Sequence, residues 1–240
     1  SNIDLRIDSL IAAPYASSLA TLTNDEMEMG TICIDMGSGT TSICMFENNR
    51  LMFADSIPVG GSHITNDLVS RLNTSVDSAE RLKTLYGSVI SKPSDEYELI
   101  DISVIGTGNN EVSQTNLSLI NSTIKVRAEE TLELIRQKLK EYGLHNKKYR
   151  RVVLTGGASL LDGISSYAQM IFDSQVRLAS PINITGINKD LSKPQFSTAI
   201  GLLIKSENTG DFEQFFHEKK QNSPKNTIFS KISSWLDPYI

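Results

Sequence analysis

Thr31-Ile32-Cys33-Ile34-Asp35-Met36-Gly37-Ser38-Gly39-Thr40-Thr41-Ser42-Ile43-Cys44-Met45-Phe46 is the stretch on which the fold turns. Two apolar runs, Thr31 to Met36 and Ser42 to Phe46, flank a turn of small residues, and a third, Leu51 to Ile57, follows Glu47-Asn48-Asn49-Arg50. Both separators are short and turn-forming, so the three runs predict an antiparallel meander. The first turn also carries chemistry. A phosphate chain needs close-packed backbone N–H donors and hydroxyls, which Gly37, Ser38, Gly39, Thr40 and Thr41 permit. A carboxylate at the strand end, Asp35, can hold a magnesium ion through water. The same heptad also suits a plain tight hairpin turn.

Downstream, Gly60-Gly61 breaks the third strand, Ser62 can cap, and Ile64, Leu68, Val69 and Leu72 recur at helical spacing. Val76 to Tyr86 predicts a second helix stopped by Gly87. Ser88 to Asn116 is polar apart from Leu99 to Ile105, which reads as a strand. Leu117, Ile120, Ile124, Ala128, Leu132, Ile135 and Leu139 advance by three or four and predict one long amphipathic helix ending at Gly143. A strand from Arg151 to Leu154 then breaks at Thr155-Gly156-Gly157. A helix from about Ile164 to Phe172 and a strand from Val176 to Leu178 come next, and Pro194 opens a final helix through Phe196, Ala199, Ile200 and Leu203. Upstream, Ile7 and Leu10 to Ala13 predict a short buried strand before Pro14, Tyr15 to Leu22 a helix, and Asp25, Glu26 and Glu28 a solvated connection.

Composition bounds the function. With 23 Lys+Arg against 28 Asp+Glu, the 240 residues carry a formal charge of −5, which argues against a general nucleic-acid backbone binder. A hydrophobic fraction of 39% places the chain in the ordinary globular range, with one or two domains. Two cysteines, Cys33 and Cys44, are too few for a disulfide scaffold and read as reduced core residues in an intracellular setting. No apolar run approaches the roughly 20 residues that span a bilayer. His63, His145 and His217 are scattered without carboxylate or thiol neighbours at ligand spacing, so no metal cluster is assigned.

Two further motifs bear on ligand binding. At Leu154-Thr155-Gly156-Gly157-Ala158-Ser159 a strand ends in a double glycine before a helix, so a ligand can approach the backbone without meeting a Cβ. Glu80 and Lys83 are neighbours on one helix face, where a surface salt bridge is the simpler reading.

The order of these features resembles the second lobe of the actin, Hsp70 and sugar-kinase superfamily, in which a nucleotide lies between two lobes. That resemblance implies an α/β, ribonuclease H-like lobe: a mixed sheet flanked by helices, with an inserted small α/β subdomain. It implies that Asp35, with its magnesium ion, and Gly37 to Thr41 meet the β- and γ-phosphates of ATP. Glu80 and Lys83 would meet the ribose, and Gly156 and Gly157 would flank the adenosine, with Gly60 and Gly61 completing the site. Closer wording narrows it. Ile57-Pro58-Val59-Gly60-Gly61 with Thr65-Asn66-Asp67, Ala79-Glu80-Arg81-Leu82-Lys83-Thr84-Leu85-Tyr86-Gly87, Val152 to Ala158, Asn183-Ile184-Thr185-Gly186 and Ala199-Ile200-Gly201-Leu202-Leu203 look like the bacterial cell-division protein FtsA. Ser38 departs from that pattern, which commonly has a third glycine there.

FtsA proteins are ATP-binding actin homologues that polymerise under the cytoplasmic membrane and tether the tubulin-like FtsZ. The resemblance therefore implies a cytoplasmic protein on the inner face of the membrane that self-associates into filaments and has at most weak ATPase activity. It divides the chain into a first-lobe remnant (1–27), a core subdomain (28–61 and 146–205), an inserted small subdomain (62–145), a linker (206–226) and a terminal helix (227–240). Arg127 matches a family segment in the subdomain that receives the FtsZ C-terminal tail, although a solvated helix charge is the plain alternative. Ile228, Phe229, Ile232, Trp235 and Leu236 form one apolar stripe, and Lys219, Lys220, Lys225 and Lys231 lie nearby, which suits an anionic membrane surface. That stripe could also dock on its own domain. A small-molecule kinase, or a pilus-assembly or cell-shape actin homologue, are the alternatives within the superfamily.

Overall fold

The computed structural model describes residues 7, 9–104, 112–144, 151–182, 184, 186 and 188–208. In chain order the elements are α1 (Ala13–Thr21), α2 (Asn24–Met29), β1 (Thr31–Met36), β2 (Thr41–Glu47), β3 (Arg50–Ile57), α3 (Gly61–Leu72) and α4 (Val76–Tyr86). There follow β4 (Leu99–Ser103), β5 (Val112–Asn116), α5 (Leu117–Glu141), β6 (Arg151–Thr155), α6 (Ile164–Phe172), β7 (Val176–Leu178) and α7 (Ser197–Asn208).

The meander forms as the turn chemistry requires: β1 pairs with β2, and β2 with β3, both antiparallel. β6 then returns beside β1 in parallel, and β7 beside β6, giving the order β3-β2-β1-β6-β7. The sheet is mixed, and its central strands β1, β2 and β6 are buried on both faces. Ile32, Ile34, Met36, Ile43 and Met45 point toward α3, α5 and α6 in the larger core. Cys33, Cys44, Phe46 and Val153 point the other way, with Leu22 and Ala179, under α1. The two cysteines lie directly opposite in register, buried and free.

On α5 every residue of the predicted stripe, from Leu117 to Leu139, is buried. That stripe packs α5 against α3 and α4, while β4 and β5 form a separate two-stranded hairpin. β5 escaped the sequence reading for a physical reason. Its inward residue opposite Ile100 is Thr115, so no apolar alternation marks the strand.

Three expectations need correction. The strand before Pro14 does not form: Ile7 is 74% and Leu10 90% exposed, and α1 begins at Ala13 with the proline in its first turn. An apolar run without a pairing neighbour cannot satisfy its backbone as a strand. The acidic connection is instead α2, opened by a capping box in which Thr23 accepts from Glu26 N–H and Glu26 accepts from Thr23 N–H. At the C-terminal side, Pro194–Phe196 is a 3-10 turn, and Ala199 faces outward while Ser197, Ile200 and Gly201 are buried. α7 continues to Asn208, into the start of the expected linker. The rest of that linker, the terminal stripe, His145 and His217 lie outside the described residues.

Glu26 illustrates what α2 does. It is buried, and its carboxylate accepts from Arg177 Nε at 2.9 Å, Arg177 Nη2 at 2.7 Å and Arg151 Nη1 at 3.3 Å, tying α2 to β6 and β7. Burial pushes its pKa up, but the bonds from Arg177, Thr23 and Arg151 outweigh burial and hold it below the ordinary glutamate range. A carboxyl with a depressed folded pKa adds stability above its unfolded pKa and loses it as pH falls through the folded value. Glu26→Gln should therefore lower stability at pH 7 by about 2 kcal/mol, the cost of losing charge-assisted hydrogen bonds. The gap should narrow as acid protonates the wild-type carboxyl. Parallel urea melts from pH 7 to pH 3 would show this, and a gap that stays constant would contradict the assignment.

Candidate functional site

The β1–β2 turn is held by its neighbours. Gly37 N–H donates to Thr40 O at 3.0 Å and closes the turn, while Gly61 N–H donates to Gly37 O and Ser62 N–H to Ser38 O, each at 2.9 Å. Ser62 Oγ also donates to Ser38 O at 2.9 Å, so this side chain ties the turn down rather than capping α3. The N-cap is Gly60, whose N–H donates to His63 Nδ1 at 3.2 Å. The glycine pair after β3 is thus the seat on which the turn rests.

α4 supplies the opposite wall. Lys83 Nζ donates to Glu80 Oε2 at 2.7 Å, to Thr65 Oγ1 at 2.9 Å and to Gly61 O at 3.1 Å. Thr65 Oγ1 donates to the same Glu80 oxygen at 2.5 Å. Burial pushes the Glu80 pKa up, and the bonds from Lys83 and Thr65 outweigh it, so the group sits below the usual range. Lys83 is 11% exposed and Glu80 49%, so the pair is no loose surface bridge: the ammonium is sunk against the α3 backbone and the carboxylate faces solvent.

Between these walls lies a cleft of about 400 Å³ lined by Gly37, Ser38, Gly61, Glu80, Lys83 and Gly157 from the sequence expectation. The rest of its lining is Thr84, Gly87, Ala158, Leu160, Leu161 and Gln195. Leu160 is 55% exposed, an apolar side chain on an open wall. Sequence reading missed these because a wall residue carries no signal until the 3-10 turn Gly157–Leu160 brings it opposite α4. Thr84, Gly87 and Ala158 stood inside quoted motifs, and that adjacency was the available clue.

The remaining expected residues sit behind the cleft. Thr41 is buried and its hydroxyl donates to Val59 O at 2.8 Å, so it braces the turn. Asp35 accepts from Thr198 Oγ1 of α7 at 2.7 Å. Burial pushes its pKa up, opposed by the hydrogen bonds from Thr198 and Ser17. Gly156 lies against Asp35 and the Met36 carbonyl, with φ +86°. Gly39, Thr40 and Gly60 complete the turn and its seat without lining the cleft.

Arg127 is not a solvated charge. Its Nε and Nη2 grip Asp67 of α3 at 2.6 and 3.0 Å, and its Nη1 reaches Glu130 at 2.5 Å. The bond to Asp67 is the main reason its pKa is raised. The fork clamps α5 to α3.

A mixed sheet with helices on both faces and a glycine-lined cleft at the β1–β2 turn defines an actin-like lobe. The solved MreB5 of Spiroplasma citri superposes with a TM-score of 0.62 at 20% identity, covering 84% of this chain and 60% of that one, which speaks to the fold. The family model described as "Cell division protein FtsA" matches residues 32–201, and the chain belongs to the FtsA family. Cell division protein FtsA of Agrobacterium fabrum is 42% identical over 201 residues, 83% of this chain and 45% of that protein. That of Rhizobium meliloti is 37% identical over 235 residues, 97% of this chain and 53% of that protein. The chain spans about half the length of these relatives.

Proposed function

We propose that the cleft binds ATP with magnesium, and that the chain is the nucleotide-binding lobe of an actin-like cell-division protein. The observation that carries this reading is the meeting of Gly37, Ser38, Gly61, Glu80, Lys83 and Gly157 around one cleft, from four separate stretches of sequence. The residues fit the ligand. A Cβ on Gly61 would stand 3.5 Å from Lys83 Nζ and 3.4 Å from Ala158 Cβ, inside the cradle that a phosphate needs. Among the described residues no three His, Cys, Asp or Glu side chains converge. Magnesium would be held chiefly by the ligand's own phosphates, with Asp35, behind the cleft at the end of β1, reached through water. Bound there, it would neutralise phosphate charge. Lys83 is placed to shield the same charge, Glu80 presents an acceptor for ribose hydroxyls, and Leu160 offers an apolar surface to a base. MreB5 of Spiroplasma citri has been solved bound to ADP and to AMPPNP, which supports a nucleotide in a lobe of this fold.

Calorimetric titration of ATP with magnesium into this chain tests the reading. Saturable binding is expected, and Lys83→Ala should weaken it about tenfold, since charge-assisted bonds are worth about 1.5–3 kcal/mol. Absence of heat for the wild-type chain, with the fold intact by circular dichroism, would contradict the reading.

The same proposal includes self-association into filaments, anchoring of FtsZ through its C-terminal tail, and a peripheral position on the inner face of the cytoplasmic membrane. No helix among the described residues is long and apolar enough to cross a membrane. The apolar stripe Ile228, Phe229, Ile232, Trp235 and Leu236 is the proposed contact. Removing residues 227–240 should abolish flotation with anionic liposomes, and unchanged flotation would remove the stripe from this role. For FtsZ, a tail carboxylate reaching Arg127 would have to compete with Asp67 and Glu130, so only modest affinity is expected there. Titration with an FtsZ tail peptide that gives no binding would rule that contact out.

A further inference from the structure

On the side away from the β1–β2 turn the cleft is lined by Gly87, just after α4, and by Leu160 and Leu161, before α6. The residues immediately behind those walls are fastened to each other. Ser88 and Asp162 form an isolated parallel bridge, and Val89 N–H donates to Asp162 O at 2.9 Å. Ser88 Oγ donates to Asp162 Oδ2 at 3.0 Å and accepts from Ile90 N–H at 3.0 Å. The Ser88 N–H in turn donates to Asn121 Oδ1 of α5 at 3.0 Å, and Asn121 Nδ2 donates to Asp95 Oδ2 at 3.1 Å. Ser88, Asn121 and Asp95 are all buried, with 7%, 2% and 3% exposure. Neither the Ser88 nor the Asp162 side chain lines the cleft.

We infer that Ser88 is a positioning residue for the cleft: through Asp162 it latches the α4–α5 unit to the β6–α6 turn and so sets the distance between α4 and the Gly157–Leu161 side of the cleft. Gly87 and Leu161 each stand one residue from the latch, so a change in its length passes directly into the wall spacing. A ligand held on both walls binds best when that spacing is set beforehand, because less ordering has to accompany binding. Asn121 supports the latch from α5 by holding the Ser88 backbone, while the hydroxyl, which also lies 3.1 Å from Ile90 O, reaches across to the Asp162 carboxylate. The inference rests on the nucleotide reading for its ligand, but the latch itself is a property of the unliganded chain.

The test uses the full chain with Ser88→Ala and Ser88→Thr. Ser88→Ala keeps the backbone bonds to Asn121 and Asp162, so the fold survives. Its ATP Kd, measured well below the unfolding temperature, should rise about tenfold, within the usual range of coupling between groups that do not touch the ligand. Ser88→Thr should restore binding to within about twofold of wild type. In ligand-free protein, amide exchange at Gly87 and Leu161 should accelerate in Ser88→Ala relative to amides of β1. A lowered Tm with unchanged Kd and unchanged exchange at those two amides would reduce Ser88 to a packing role and overturn the inference. If the wild-type chain binds no ATP, the nucleotide reading fails, and the exchange measurement alone decides the latch: acceleration upholds it and no change overturns it.

Discussion

Gly156→Ala should destabilise the chain by about 2–6 kcal/mol and abolish measurable ATP binding. Gly156 directly follows β6 with φ +86° and ψ 163°, a region that essentially only glycine occupies, at a cost of about 1–3 kcal/mol for other residues. The space is closed as well: an added Cβ would stand 2.5 Å from the Met36 carbonyl oxygen and against the Asp35 carboxylate. Overpacking of that kind costs about 1–3 kcal/mol more. Asp35 can swing aside but the Met36 backbone cannot, because it is the last rung of β1, paired with Thr41. The substitution must therefore push apart the ends of β1 and β6, where the site is assembled. Thermal melts should show Tm lowered by roughly 5–20 °C. A variant with wild-type Tm and wild-type ATP affinity would show that the close approach of the two strand ends has no role.

Gly201→Ala should be the second severe change. Gly201 sits in α7 directly over the carbonyl of Ala16 in α1, so an added methyl would overlap the α1 backbone. Small residues let helices approach closely, and here the approach covers the sheet face that holds Cys33, Cys44, Phe46 and Val153. α7 also brings Thr198 to Asp35 at 2.7 Å, so sliding α7 outward removes a bond from the expected magnesium ligand. A loss of about 1–3 kcal/mol is expected from overpacking alone. ATP binding that depends more steeply on magnesium concentration should accompany it. Buried thiols should become reactive too: Cys33 and Cys44 should label with a thiol reagent faster than in the wild-type chain. Unchanged stability and labelling would mean that α1 and α7 separate without consequence.

What could be read in advance follows from how local the causes are. The stripe on α5 was legible because one helix face meets one core, and all seven of its residues are buried. The meander was legible because its turns are short. β5 was not, since a threonine does the inward packing opposite Ile100. Glu26 looked solvated because its partners, Arg151 and Arg177, lie on strands far along the chain. The site divides in the same way. Gly37, Gly61 and Gly157 stood out by residue type, Glu80 and Lys83 became site candidates only through the family resemblance, and the fold lines one cleft with all five. Thr41 has the right chemistry for a phosphate but spends its hydroxyl on Val59 O, a choice settled by the path of the chain after β3. Arg127 read as a solvated charge because Asp67 lies 60 residues away in sequence and adjacent in space.

The most direct test of the central claim is a backbone amide NMR titration of the chain with ATP and magnesium. Gly37, Ser38, Gly61, Lys83 and Gly157 should shift together, along one binding curve, while the amides of β7 and of a second groove, lined by Glu133 and Leu134 of α5 and by Ile171 and Phe172 of α6, stay in place. Shifts confined to that groove, or saturation with the five cleft amides unmoved, would contradict it.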